Sequence, residues 1–171
     1  MELSLPSAYL VGLVGLLGVV AVFVTIQVVN VRRDEGKLSR LQQETAEDAD
    51  PVKLYELGSV QLRKRLYGQA ADTLRQAALL AGNEPVEGQA LIHNALGFSL
   101  AAQKKFVEAE TQYRQALRCK ADYPVALNNL GFALERQQRR DEAADTYRRV
   151  LGLEAGNRTA KRRLRLIGQD S

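Results

Sequence analysis

A single cysteine, Cys119, and a single histidine, His93, exclude an internal disulfide and a zinc set of the usual kind. Tryptophan is absent and aromatic residues make up only 6% of the chain, which argues against a large mixed core. The phosphate-cradling patterns GxxxxGKS/T and GxGxxG are missing, as are HExxH and GxSxG. Nothing in the inventory provides a nucleophile, a metal set or a cofactor cradle. No enzymatic activity and no cofactor are therefore expected.

Charge is also missing, but only locally. From Leu3 to Val31 no residue is charged. All 24 Lys and Arg lie at or after Arg32, and Glu2 alone of the 20 acids precedes it. The 46% hydrophobic content, the net charge of +4 and the mean hydropathy of -0.24 thus average two segments suited to different solvents. After the apolar segment and a linker, about 120 residues remain, enough for one small domain.

Residues Tyr9 to Val31 read YLVGLVGLLGVVAVFVTIQVVNV. As a helix this run is roughly 34 Å long at about 1.5 Å per residue, sufficient to span the hydrocarbon core of a bilayer. Gln27 and Asn30 sit near its end, where headgroups solvate them; Pro6 and Ser7 suit a helix start, and Tyr9 an interface. A cleavable signal peptide wants a basic start, a shorter apolar run and a small-x-small cleavage site, whereas here the start carries Glu2 and Arg32-Arg33 follow the run. A buried core helix is unneeded, since the rest of the chain closes without it. The expectation is an uncleaved anchor over residues 1–33. Positive charge lies only on its C-terminal side (Arg32, Arg33, Lys37, Arg40), which places the bulk of the protein in the cytoplasm or a plastid stroma. Ala8, Gly12, Gly15, Gly18, Ala21 and Thr25 are small enough for another helix to approach, although glycine is common in membrane helices in any case.

Residues 34–50 (DEGKLSRLQQETAEDAD) hold too little apolar surface for a core and read as a charged, partly helical spacer. Asp50-Pro51 then marks a helix start, with Asp as cap and Pro at the first helical position. From there the chain repeats itself. Leu54-x2-Leu57-Gly58, His93-x2-Leu96-Gly97 and Leu127-x2-Leu130-Gly131 are copies of one pattern. Twelve residues after each Gly comes Ala70, Ala109 or Ala143; then Leu74, Tyr113 or Tyr147; then Ala77, Ala116 or Val150. Gly97 and Gly131 are 34 residues apart, and Gly58 and Gly97 are 39 apart, the excess falling around AGNEPVEGQ.

This is the tetratricopeptide (TPR) pattern. Small residues allow two helices of about 14 residues to cross closely, and Leu57, Leu96, Leu130, Tyr113 and Tyr147 fill the space between pairs. Three stacked pairs suffice for a shared core. The fold class expected is all-α: a transmembrane helix followed by a right-handed TPR solenoid over 51–167, with repeats at 51–84, 90–123 and 124–157 and a capping helix at 157–167. Helices are predicted at 51–65, 68–81, 86–102, 106–119, 124–137 and 141–153. His93 fits a packed structural role better than a functional one, and Cys119 an inert thiol.

In such an array the first helices line a concave face. Val52, Tyr55, Ser59 and Arg63, then Leu91, Asn94, Phe98 and Ala102, then Val125, Asn128, Phe132 and Arg136 occupy its offsets. Paired Asn amides at 94 and 128 suit a peptide backbone, and Phe98 with Phe132 an apolar side chain, although core packing is the competing role. The candidate protein-binding residues are Tyr55, Ser59, Arg63, Asn94, Phe98, Asn128, Phe132 and Arg136. Chaperone-binding TPR domains grip a C-terminal carboxylate with Lys and Asn in the first repeat and Lys and Arg in the third. Here Tyr55, Ser59, Phe132 and Arg136 stand there; only Arg136 matches, so chaperone-tail docking is not expected. A second candidate surface is the basic run Arg158, Lys161, Arg162, Arg163 and Arg165 on the capping helix. It reads as a solvated outer face, or as one for an acidic protein or anionic headgroups. Nucleic acid is not expected, since interleaved aromatics and a docking motif are absent.

One anchor, a short charged linker and three TPR repeats, with ALNNLGFAL at 126–134, together resemble the small membrane-anchored TPR proteins of cyanobacteria and plastids that assist photosystem I assembly. The resemblance implies a single-pass thylakoid protein with its array on the cytoplasmic or stromal side. Its partners would be membrane protein subunits, of photosystem I, together with the lipid around residues 9–31. A bacterial inner-membrane TPR scaffold for envelope or secretion complexes, in the plasma membrane, has the same layout. A soluble regulator whose leader has been removed is the third option.

Overall fold

The computed structural model describes residues 5–169, and for 5–8, 10, 11, 30–34 and 169 the backbone alone. Glu2 of the expected anchor and the side chains of Arg32 and Arg33 lie outside the described residues. Helices account for the described elements, and no strand occurs among them. They are α1 (Leu5–Glu47), α2 (Pro51–Arg63), α3 (Tyr67–Leu80), α4 (Val86–Ala102), α5 (Phe106–Cys119), α6 (Pro124–Arg136), α7 (Arg140–Leu153) and α8 (Arg158–Gln169), with one 3-10 turn at Ala81–Asn83. The chain divides into two units after Arg40.

The first unit lies in α1. Its window Gly12–Val29 has a mean hydropathy of 2.5, and none of it is buried within the protein. A side chain at Gly12, Gly15 or Gly18 would meet nothing. The Thr25 hydroxyl donates to the Ala21 carbonyl at 2.8 Å, so its polar group is satisfied within the helix. The helix does not stop where the apolar run stops. It continues without a break to Glu47, through the stretch whose composition suggested a partly helical spacer. The reason is local: Lys, Leu, Arg, Gln, Glu and Ala there are good helix formers, Gly36 is the weakest position, and Gln43 donates to Glu47 one turn on.

In the second unit the helices pair as α2/α3, α4/α5 and α6/α7, with α8 packed on α7. Their observed bounds differ from those predicted from repeat spacing by at most two residues. Asp50 caps α2, its Oδ1 accepting the backbone N–H groups of Val52 at 2.9 Å and Lys53 at 3.0 Å ahead of a first turn that begins with Pro51. The turn inside each pair is built the same way three times. Leu66, Lys105 and Arg139 donate their N–H groups to the carbonyls of Gln61, Leu100 and Leu134, five residues back. Each turn passes through the left-handed region, at Arg65 (φ 59°), Lys104 (64°) and Gln138 (65°).

Gly58, Gly97 and Gly131 explain how the paired helices approach. A Cβ at these positions would lie 2.6 Å from Leu74, 2.6 Å from Tyr113 and 2.7 Å from Tyr147 respectively. The three large side chains are fully buried, and with Leu96, Leu127, Leu130, Leu134 and Val150 they form one continuous core. Pairs are tied to their neighbours at repeated positions. Gln103 Nε2 donates to the Tyr67 carbonyl at 3.0 Å, and the equivalent Gln137 donates to Glu110 Oε2 at 2.7 Å. Glu110, almost wholly enclosed, also accepts from Arg139 Nη1 at 2.8 Å and pairs with Arg114 at 2.9 Å. Arg139 extends the network to Glu142 at 2.6 Å, which holds the Glu142 carboxyl below the usual range.

Candidate functional site

The first helices α2, α4 and α6 carry the twelve positions singled out by repeat offset. Val52, Arg63, Leu91, Phe98, Ala102, Val125 and Arg136 are exposed; Tyr55, Ser59, Asn94, Asn128 and Phe132 are half-buried. Two cavities lie along this face, each about 280 Å³. One sits between α2 and α4 toward the N-terminal ends of the helices, with Val52, Tyr55, Leu91 and Ile92 as its apolar floor. The other sits between α4 and α6 toward their C-terminal ends, built on Phe98, Phe106 and Phe132.

The second cavity is the more ordered. Phe106 and Phe132 meet edge to face, with centroids 6.2 Å apart and planes at 80°. Arg136 lies over the Phe106 ring at 5.1 Å and Arg163 over the Phe132 ring at 5.2 Å. Arg163 thereby departs from its predicted company. Arg158, Lys161, Arg162 and Arg165 are exposed, spaced three, four and seven residues along α8 from Arg158, whereas Arg163 turns inward and pairs with Glu135 Oε2 at 3.4 Å. Phe106, at the start of α5, was not among the residues chosen from offsets, because offsets in the first helices do not reach a second helix.

In the wall of the second cavity, Asn129 Nδ2 donates to Asn94 Oδ1 at 3.0 Å and ties α6 to α4. Asn94 thus pairs with Asn129 rather than being matched in role by Asn128, whose Oδ1 is buried without a hydrogen-bond partner. The Asn-Asn doublet was the signal, and repeat spacing alone chose the first member. At the other end, the Tyr123 phenol is pushed up by burial and then by the charge of the Tyr55 phenol. Ser59 and Arg63 contribute to neither cavity wall.

His93 Nδ1 is hydrogen-bonded to Gln112 Oε1 at 2.9 Å, joining α4 to α5. Cys119 is half-buried, 3.9 Å from Gln89 Oε1. Among the described residues no group of three or more His, Cys, Asp or Glu side chains is placed to hold a metal ion. On the opposite side, between α5 and α7, a wider depression of about 490 Å³ is walled by Arg114, Arg118 and Arg149 against Glu142 and Asp145. Leu117, Leu130 and Leu134 form an apolar floor beneath this charged rim, so its lining mixes polar and apolar groups. The two first-helix cavities differ in being lined mainly by apolar groups, with few polar ones.

Residues 125–153 match the sequence profile of a tetratricopeptide repeat. The chloroplastic tetratricopeptide repeat domain-containing protein PYG7 of Arabidopsis thaliana is 33% identical over 129 residues, which are 75% of this chain and 42% of that protein. The chain thus spans less than half the length of that relative. The protein ycf37 of Guillardia theta is 31% identical over 130 residues, 75% of this chain and 73% of its own. Among solved structures, the first TPR of Spaghetti (RPAP3), bound to the HSP90 peptide SRMEEVD, superposes with a TM-score of 0.66 at 26% identity. That match covers 71% of this chain and 93% of the other. A TPR array is a protein-interaction scaffold, and this chain carries one.

Proposed function

The chain belongs to the family of tetratricopeptide-repeat proteins represented by ycf37 of Guillardia theta, and on that basis we propose that it is a membrane-tethered assembly scaffold without chemistry of its own. The anchor is α1 around residues 9–31, the membrane is the thylakoid, and the array faces the cytoplasm or stroma. The first-helix groove holds a segment of a membrane subunit, of photosystem I, while further subunits join. Tethering domain and client in one membrane raises their effective concentration, so weak contacts suffice.

The observation that carries the tether is the exposure of α1. Twelve Leu, Val, Ile and Phe side chains between Leu13 and Val29 are 43–68% exposed. Left in water they would forfeit on the order of 10 kcal/mol of burial free energy, which a bilayer supplies. Alkaline carbonate extraction tests this directly: the protein stays in the pellet, and its release into the supernatant would end the anchor reading. The client reading is tested by co-migration with photosystem I subunits on a native gel, lost on deletion of residues 51–167. Normal photosystem I accumulation in a strain lacking the gene would overturn it. A photo-crosslinker at exposed Phe98 captures a subunit in isolated membranes, and Asn128→Ala with Phe132→Ala weakens that capture. The exposed stripe Arg158, Lys161, Arg162 and Arg165 supports a second contact, with an acidic protein surface or anionic headgroups. Unchanged capture by the groove variant would move the client to that stripe.

A further inference from the structure

The two cavities of the first-helix face carry charge of opposite sign. The charged residues that line the α2/α4 cavity are Glu56 and Glu84, with no base among its walls. Those that line the α4/α6 cavity are Lys104 and Arg136, with no acid. Both floors are apolar. The polarity is fixed along the groove, because Leu91 and Phe98 mark the two cavities on one helix, seven residues apart.

We propose, resting on the reading of this face as the client site, that its occupant is an extended peptide segment of a partner protein with a matching dipolar pattern. An aliphatic side chain beside a Lys or Arg fills the α2/α4 cavity, and an aromatic side chain beside an Asp or Glu fills the α4/α6 cavity with its three Phe rings. The spacing follows from the helices. Seven residues along α4 are about 10.5 Å, and crossing from one flank of α4 to the other adds about 9 Å sideways. The diagonal of about 14 Å corresponds to about four residues of extended chain. Asn129, paired with Asn94, stands in the wall of the α4/α6 cavity, where its amide meets the peptide backbone rather than a side chain. Complementary charge at the two ends fixes register and rejects segments acidic or basic throughout.

The test uses the full chain in lipid nanodiscs and end-capped fluorescent peptides read by anisotropy at low salt. The probes are Lys-Leu-Ser-Ser-Ser-Phe-Glu and its reversed-direction partner Glu-Phe-Ser-Ser-Ser-Leu-Lys, against the charge-exchanged Glu-Leu-Ser-Ser-Ser-Phe-Lys. The better of the first two binds at least about fivefold tighter than the third, a difference within the reach of two charge contacts. The combined variant Glu56→Lys, Glu84→Lys, Lys104→Glu and Arg136→Glu, checked for an unchanged helical signal and melting profile, inverts that order. Should the combined variant misfold, Lys104→Glu with Arg136→Glu alone abolishes the preference. Equal binding of all three peptides, lost together in Phe98→Ala with Phe132→Ala, overturns the dipolar pattern and leaves the groove as client site. Absence of binding by every peptide at about 1 mM also overturns the pattern. Capture from Phe98 in membranes then decides separately whether the groove reading survives.

Discussion

The guanidinium of Arg163 lies 5.2 Å from the centre of the Phe132 ring, which ties the capping helix to the groove as well as to the last pair it covers. Arg163 also contacts Glu135 and is only 27% exposed, so its stem packs as well as its charge. Arg163→Ala is therefore expected to lower stability by about 1 kcal/mol. The neighbouring Arg162→Ala, from an exposed position, stays within about 0.5 kcal/mol of the parent. Thermal melts of the two variants in the same detergent check this, and equal melting temperatures would refute it.

Gly131 and Gly152 predict opposite signs for one substitution. A Cβ at Gly131 would sit 2.7 Å from the fully buried Tyr147 ring, which has no free space to move into. Overpacking of about 1–3 kcal/mol exceeds the gain of about 1 kcal/mol from alanine's helix propensity. Gly131→Ala is thus destabilising by up to about 2 kcal/mol. Gly152, also helical, has nothing within 4 Å of a new Cβ, and there Gly152→Ala stabilises by up to about 1 kcal/mol. Denaturant midpoints that moved in the same direction would contradict the close-approach argument.

The Gly–Tyr relationship also shows why the array was readable from sequence. Both members recur at one spacing, Gly97 with Tyr113 and Gly131 with Tyr147, because each contact lies within one helix pair. Contacts between elements of different kind leave no such trace. Arg163 is one base among five in α8, and only the packed structure turns it toward Phe132, 31 residues away. Phe106 joins the groove from a second helix, and Asn129 displaces Asn128 as the partner of Asn94 by a single position. The extension of α1 to Glu47 was masked for another reason. Leu38 and Leu41 are its only leucines, too few for a periodic apolar face, and periodicity detects helices by that face, not by propensity.

A turn feature of the same kind was also hidden. Gln138 adopts φ 65°, as Arg65 and Lys104 do at the equivalent places, although none is glycine. The left-handed region costs a residue with a Cβ about 1–2 kcal/mol, part of which glycine gives back in unfolded-chain entropy. Gln138→Gly is expected to stabilise by about 0.5–1 kcal/mol, read as a raised denaturant midpoint at constant slope. A lowered midpoint would mean that the Gln138 side chain contributes more than its backbone costs.

Glu110, on α5, is the acceptor on which the α6/α7 turn converges, taking Arg139, Arg114 and Gln137 within 2.9 Å. Its removal leaves Gln137 without this acceptor, while Arg139 keeps Glu142. Because Arg139 is partly solvated, the loss falls below that of a fully buried pair. Glu110→Ala should cost about 2 kcal/mol, and Glu110→Gln less, since an amide oxygen still accepts. Urea melts of both variants test the order; a glutamine variant as weak as the alanine one would point to packing rather than hydrogen bonding.

Alkaline pH tests the two buried tyrosines. The Tyr113 phenol is pushed up by burial; that of Tyr147 is pushed up by burial and then by its 2.6 Å hydrogen bond to Glu135 Oε1. In the unfolded chain both lose their protons near pH 10, whereas in the fold they keep them well beyond that. Above pH 10 the unfolded state therefore binds fewer protons than the native state, and stability falls as pH rises. The fall is about 1.4 kcal/mol per pH unit for each such tyrosine until its folded pKa is reached. Tyr147→Phe removes one contribution, so its stability declines less steeply between pH 10 and 11, by about 1 kcal/mol because the unfolded phenol is only part-ionised at the start of that interval. Lysines that titrate in the same window are common to both proteins and cancel in the comparison. Parallel declines for parent and variant, measured by urea melts at each pH, would show that Tyr147 ionises as readily in the fold as outside it.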